Sequence, residues 1–106
     1  MAHEHRFEAV VWEYQGGQGS WHFISVPTDV ADAIADETGD QTRGFGSVRV
    51  DVRIGGTRWQ TSLFPDRSRG TYLLPLKKSV REAEGLAEGD SASVRLMLLD
   101  IGDRSF

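Results

Sequence analysis

Between Val48 and Ile54 the chain alternates without a break. Val48, Val50, Val52 and Ile54 are apolar, and the residues between them, Arg49, Asp51 and Arg53, are charged. Successive side chains of an extended chain point to opposite faces, so this period of two predicts a strand over 47–54 with one buried face. Gly55-Gly56 is a two-residue hairpin signal, and 57–64 returns with Trp59, Thr61 and Leu63 on one face. Upstream, 6–14 (RFEAVVWEY) and 20–26 (SWHFISV) are rich in β-branched and aromatic residues and are joined by the glycine-rich 15–19. Residues 71–76 (TYLLPL) predict a strand with Pro75 at an edge or an end, because proline has no N–H to give the ladder. The last strand is predicted over 91–100. Ala92, Val94, Leu96 and Leu98 form one face; Arg95, Met97 and Leu99 form the other, so part of it is expected to be covered on both sides.

Two segments change to helical spacing. In 28–39, Thr28 is the expected N-cap and Asp29 and Asp32 suit the positive end of the dipole. Val30, Ala33, Ile34 and Glu37 share one side, so the apolar stripe is narrow, and Gly39 is the expected stop. In 79–86, Ser79 and Glu82 have capping-box spacing, Gly85 is the stop, and Leu86 is placed to fold back over the last turn. Residues 40–46 and 65–70 read as loops and 87–90 as a tight turn. Six strands with partly apolar faces and tight hairpins favour closure. The expected fold is mainly β: a small closed or nearly closed barrel of about six strands, with two short helices over its ends. The whole of 1–106 reads as one domain, with residues 1–5 as a disordered tail.

Composition narrows the chemistry. The chain has no cysteine, which excludes disulfides, zinc-thiolate sites and thiol nucleophiles. No apolar run approaches the roughly 18 residues of a membrane span, and the charged N-terminus lacks an apolar signal segment, so a cytoplasmic protein is expected. The net charge of −4 argues against nucleic acid, whose phosphates usually select basic partners.

The distribution of charge points elsewhere. Arg67, Arg69, Lys77, Lys78 and Arg81 give a local +5 with no carboxylate among them. Lys77 and Lys78 precede the second predicted helix, whose first amides, at 79–82, are expected to be free. Arg81 lies in its first turn, and Arg67 and Arg69 are placed to approach from the loop. Cations around exposed amides predict an anion site. The competing reading is a solvated strand end with Arg81 paired to Glu84 or Glu88. Trp12, Trp21 and Trp59 either line a pocket or fill the core, and at least two are expected in the core. The candidate binding residues are Arg43, Lys77, Lys78, Arg81 and Trp59. The loop RGFG at 43–46 lacks the spacing of a dinucleotide or Walker motif. His3 and His5 read as incidental terminal histidines, and no metal or cofactor is assigned. Ser62 has no nucleophile elbow, and a triad with His22 has no support, so no catalytic residue is assigned and an enzyme is the less favoured class.

Three stretches carry a family likeness: WHFISVP, RGFGSVRVDVRIGGTRWQTSLFP and GTYLLPLKKSVREAEGLAEGDSASVRLMLLD. They resemble a bacterial and archaeal family of small barrels designated domain of unknown function nineteen-oh-five, some of whose members carry a further OmpD-associated domain. The resemblance implies a closed β-barrel with a short helix and implies no activity. A shorter likeness, LLPLKKSVREAEGLAEGDSASVRL, is to the half-barrel of AbrB/MazE-type transcription factors, where a swapped-hairpin dimer binds DNA. This chain is about twice as long as those, net acidic, and has several further strands upstream.

The sequence therefore predicts a small binding or interaction module that recognises an anionic small molecule or acidic partner at the start of the second helix. The alternatives are a DNA-binding regulator acting as a dimer, and a small enzyme. Nothing in the sequence fixes an oligomeric state.

Overall fold

Alternating side chains, repeated strand after strand, require a second apolar surface to bury the inner face, and a sheet supplies it by curling onto itself. In the computed structural model, which describes residues 4–17, 19–39 and 46–99, the chain does this with six strands. The elements are β1 (Glu4–Gly16), β2 (Gly19–Ser25), α1 (Thr28–Thr38), β3 (Val48–Ile54), β4 (Thr57–Asp66), β5 (Thr71–Pro75), α2 (Lys78–Glu84) and β6 (Ser91–Leu98). They close in the order β1-β2-β5-β4-β3-β6, with β1 bonded back to β6, and every neighbouring pair is antiparallel. All six strands of the closed barrel come from one chain, so closure does not require a strand exchanged with a second copy, as in the swapped-hairpin likeness. No described helix is long and apolar enough to cross a membrane.

The predicted faces hold where they were strongest. Val50, Val52, Leu63, Leu74 and Leu96 are fully buried at 0% exposure and meet Val11 and Ile24 in one core. Burial of such a side chain contributes about 1.5–3 kcal/mol relative to leaving it in water. Pro75 ends β5, and Gly85 takes the left-handed conformation (φ 65°, ψ 38°) that closes α2. Leu86 packs against the core, and its N–H donates to the Arg81 carbonyl.

Several local expectations are corrected. β1 starts at Glu4, so the first five residues, expected as a tail, include two that pair with β6 (Glu4 with Met97, His5 with Leu96). Thr28 is the first residue of α1 and not its cap; Pro27 holds the N-cap position, with no side-chain cap bond. The buried stripe of α1 is Ala31, Ile34 and Thr38. The helix is rotated from the expected stripe because its contact is with β5 and the core beneath. The capping box of Ser79 and Glu82 does not form. Lys77 is the N-cap of α2, with extended backbone, and its carbonyl accepts from the N–H groups of Val80 and Arg81. The outer face of β6 is not covered at Met97, which is 42% exposed.

Candidate functional site

β5 is the shortest of the described strands, with five residues between a ten-residue β4 and a seven-residue β2. It pairs with β4 only from Phe64 to Asp66 and with β2 only from Phe23 to Ser25. Beyond Pro75 the wall has no described strand between the start of β2 and the first half of β4. The chain crosses this opening as Leu76, whose N–H still donates to the His22 carbonyl (2.9 Å), and then turns into α2. The result is a cleft of about 400 Å³ at one end of the barrel. A volume of that size lies in the range of small-molecule sites.

The helix that frames the cleft is tied to the barrel at its far end. Thr57 Oγ1, at the start of β4, donates to Glu84 Oε2 of α2. The neighbouring turn is closely packed against the same carboxylate: a Cβ on Gly55 would collide with Glu84 Oε1, and Gly55 has φ 58°. Only glycine meets both the positive φ and the contact without strain.

Three of the five residues in the basic run meet at the cleft: Lys77 and Lys78 at the start of α2, and Arg81 one turn on. No carboxylate among the described residues lines it. Lys78 Nζ lies 3.8 Å from Glu82, but both side chains are largely in water, where such a pair is worth little. Arg81 is half-buried, and its Nε donates a long bond (3.4 Å) to the Leu76 carbonyl; it does not pair with Glu84 or Glu88. Trp59 also lines the cleft.

The other cations do not join them. Arg69 pairs with Asp66 at 2.6 Å and lies over the Trp12 ring, 4.7 Å from its centroid. Its hydrogen bond is the main reason the Asp66 carboxyl is held below its ordinary range. Arg67 borders a separate hollow with Asp32 and Asp66, beside α1. The five-cation cluster is thus three, because the loop after β4 folds toward α1 and away from α2. Arg43 lies outside the described residues. The free amides expected at 79–82 are also fewer, since those of Val80 and Arg81 are taken by Lys77.

The aromatic walls were only partly legible. None of the three tryptophans is fully buried: Trp59 packs partly against the core, Trp21 is 50% exposed, and Trp12 is half-buried against Phe23. Trp21 and Phe23 from β2 line the cleft opposite Trp59 from β4, and His22 lies between them in sequence with its Nδ1 buried and without a hydrogen-bond partner. Sequence reasoning passed over Phe23 and His22 because a strand residue gives no sign that its neighbouring strand will stop short. His5 Nε2 lies 3.1 Å from Glu37 of α1. His3 lies outside the described residues. No hydrogen bond joins Ser62 to His22 among the described residues.

A second group of cations was not foreseen. Arg6, Arg95, Arg53 and Arg58 stand in register across β1, β6, β3 and β4. This row is interleaved with acids: Glu4 takes both Arg95 (3.1 Å) and Arg6 (3.4 Å), and Asp51 takes Arg58 in a forked pair (2.8–3.1 Å). It is an ion network on the outer wall, whereas no carboxylate among the described residues lines the cleft.

The architecture defines a class: a small closed antiparallel barrel with a gap in its wall, rimmed by cations and faced with aromatic rings. Residues 7–96 match the model of the family described as Domain of unknown function (DUF1905), and the chain belongs to that family. No curated protein matches the chain.

Proposed function

We propose that the protein is a binding module whose cleft at the start of α2 recognises an anionic small molecule. The observation that carries the reading is the cleft's lining, which holds Lys77, Lys78 and Arg81 and, among the described residues, no carboxylate, in a chain of net charge −4. A concave, partly desolvated wall strengthens the field of those charges relative to the open surface. Attraction does not depend on free helix amides, two of which are already used. The lining also offers Thr61 and Gln60, neutral groups that suit the oxygen atoms of a phosphate or carboxylate.

The test is a titration of the protein with pyrophosphate and citrate, followed by two-dimensional amide spectra. Shifts are expected at residues 77–81 and at Trp59. They should weaken as ionic strength rises from about 0.01 M to about 0.1 M, where the screening length falls from roughly 30 to 10 Å. Lys77→Glu together with Lys78→Glu should abolish the shifts while the melting temperature stays within a few degrees, since both side chains are exposed. Shifts that survive this double reversal would place the anion elsewhere and end the reading.

A further inference from the structure

We propose that the anion bound in this cleft is carried on a flat aromatic ring, and that His22 donates a hydrogen bond to that molecule from Nε2; this rests on the reading above. A bare inorganic anion needs only the cationic rim. The cleft offers more. Trp59 lines it from β4, Trp21 and Phe23 line it from β2, where their rings also lie beside those of Tyr14 and Trp12, and Pro75 ends the strand between them. Trp21 leaves half of its surface in solvent beside two lysines and an arginine. A large ring kept wet next to cations is an unsatisfied apolar surface, and a planar partner covers it at little entropic cost because every aromatic presents a π-face.

His22, which alternates with Trp21 and Phe23 along β2, adds a polar point to the same cleft. Its Nδ1 is buried and has no partner, and its Nε2 makes no hydrogen bond either. Since Nδ1 is the only buried polar side-chain atom left unpaired among the described residues, Nε2 is the nitrogen that reaches solvent. A neutral imidazole carries one proton. On Nδ1 it would be a buried N–H without an acceptor, the costlier of the two arrangements; on Nε2 it becomes a donor on the cleft side. The site then combines three cations, one neutral donor and aromatic walls. That set fits a phosphate or carboxylate attached to an aromatic or heteroaromatic ring with an acceptor atom on its edge. The cleft, at about 400 Å³, has room for one such molecule.

The experiment compares matched pairs at low ionic strength: adenosine monophosphate against ribose 5-phosphate, and nicotinate against acetate. The ring should tighten binding by about tenfold or more in at least one pair, as base–aromatic stacking does elsewhere. The indole N–H signals of Trp21 and Trp59 should move with the ring-bearing member only. Trp21→Ala, at a half-exposed position, should remove most of the advantage, read as the ratio of the two affinities within each pair. Nitrogen-15 spectra of the ring should show His22 protonated on Nε2, with that signal shifted by the ligand. Equal affinities within both pairs would overturn the inference while leaving the anion reading intact. An Nδ1-protonated His22 would remove its donor role. Silence from all four compounds and from pyrophosphate would end both.

Discussion

At the residue scale, the outer wall separates charges that stabilise from charges that strain. Asp51 accepts a forked pair from Arg58, and that hydrogen bonding is the largest cause holding its carboxyl below the ordinary value of 3.8. A lowered carboxyl contributes stability that is fully present above its unfolded value and is lost as pH falls through the folded one. Arg58→Met should therefore lower stability at neutral pH, and the gap from the parent should close in strong acid, once Asp51 is protonated. Denaturant melts across pH would check this; a gap that persists in acid would assign the loss to packing. Arg53 has the opposite situation. It stands directly opposite Arg95 on one side and Arg58 on the other, and like charges so placed cost roughly 0.2–1 kcal/mol per pair. Arg53→Thr should raise the melting temperature by a few degrees at low salt, with the gain shrinking as salt is added. Arg49, Asp51 and Arg53 were legible from the sequence as an outward-facing charged set. The pairing of Arg6 with Arg95 was not, because cross-strand register joins residues nearly ninety positions apart.

Among the elements, α2 shows how a short helix is held and aimed. Seven residues cannot sustain a helix alone, so tertiary anchors must do it. Val80 is buried under it, Leu86 folds back to the core, and Glu84 receives the Thr57 hydroxyl beside Gly55. Gly55→Ala should cost about 1–2 kcal/mol from its positive φ alone, and the displaced Glu84 should loosen the helix that carries Lys77, Lys78 and Arg81. The expected outcome is a lower melting temperature together with weaker binding of pyrophosphate. Unchanged binding in a destabilised protein would mean that α2 keeps its aim without this anchor. The end of α2 was readable, since Gly85 and Leu86 act within one turn. Its start was not, because the cap position is set by where the chain leaves β5, two residues before the serine that local chemistry favours.

For the molecule as a whole, closure is the dominant fact. The inner faces of six strands share one core, so damage at one position is felt around the ring. Leu96, fully buried on β6 between β1 and β3, is the natural probe. Leu96→Ala should cost about 2–5 kcal/mol, read as a drop in the denaturation midpoint with an unchanged slope. A loss well under 1 kcal/mol would mean that the barrel relaxes into the space. The cleft is a product of the same closure: a ring of unequal strands must leave a gap where the shortest one ends.

The sequence by itself determined which residues face inward, where most turns fall, that the strands are numerous enough to close, and that positive charge gathers before the second helix. These are short-range properties: alternation, glycine conformation and proline's missing donor act within a few residues. The tertiary structure alone decided that Arg67 and Arg69 turn away, that Trp21, Phe23 and His22 join Trp59 at one opening, and that four arginines form a row across the wall. Each of these depends on strand order and register, which set the distance between residues far apart in the chain and leave no local mark on any of them.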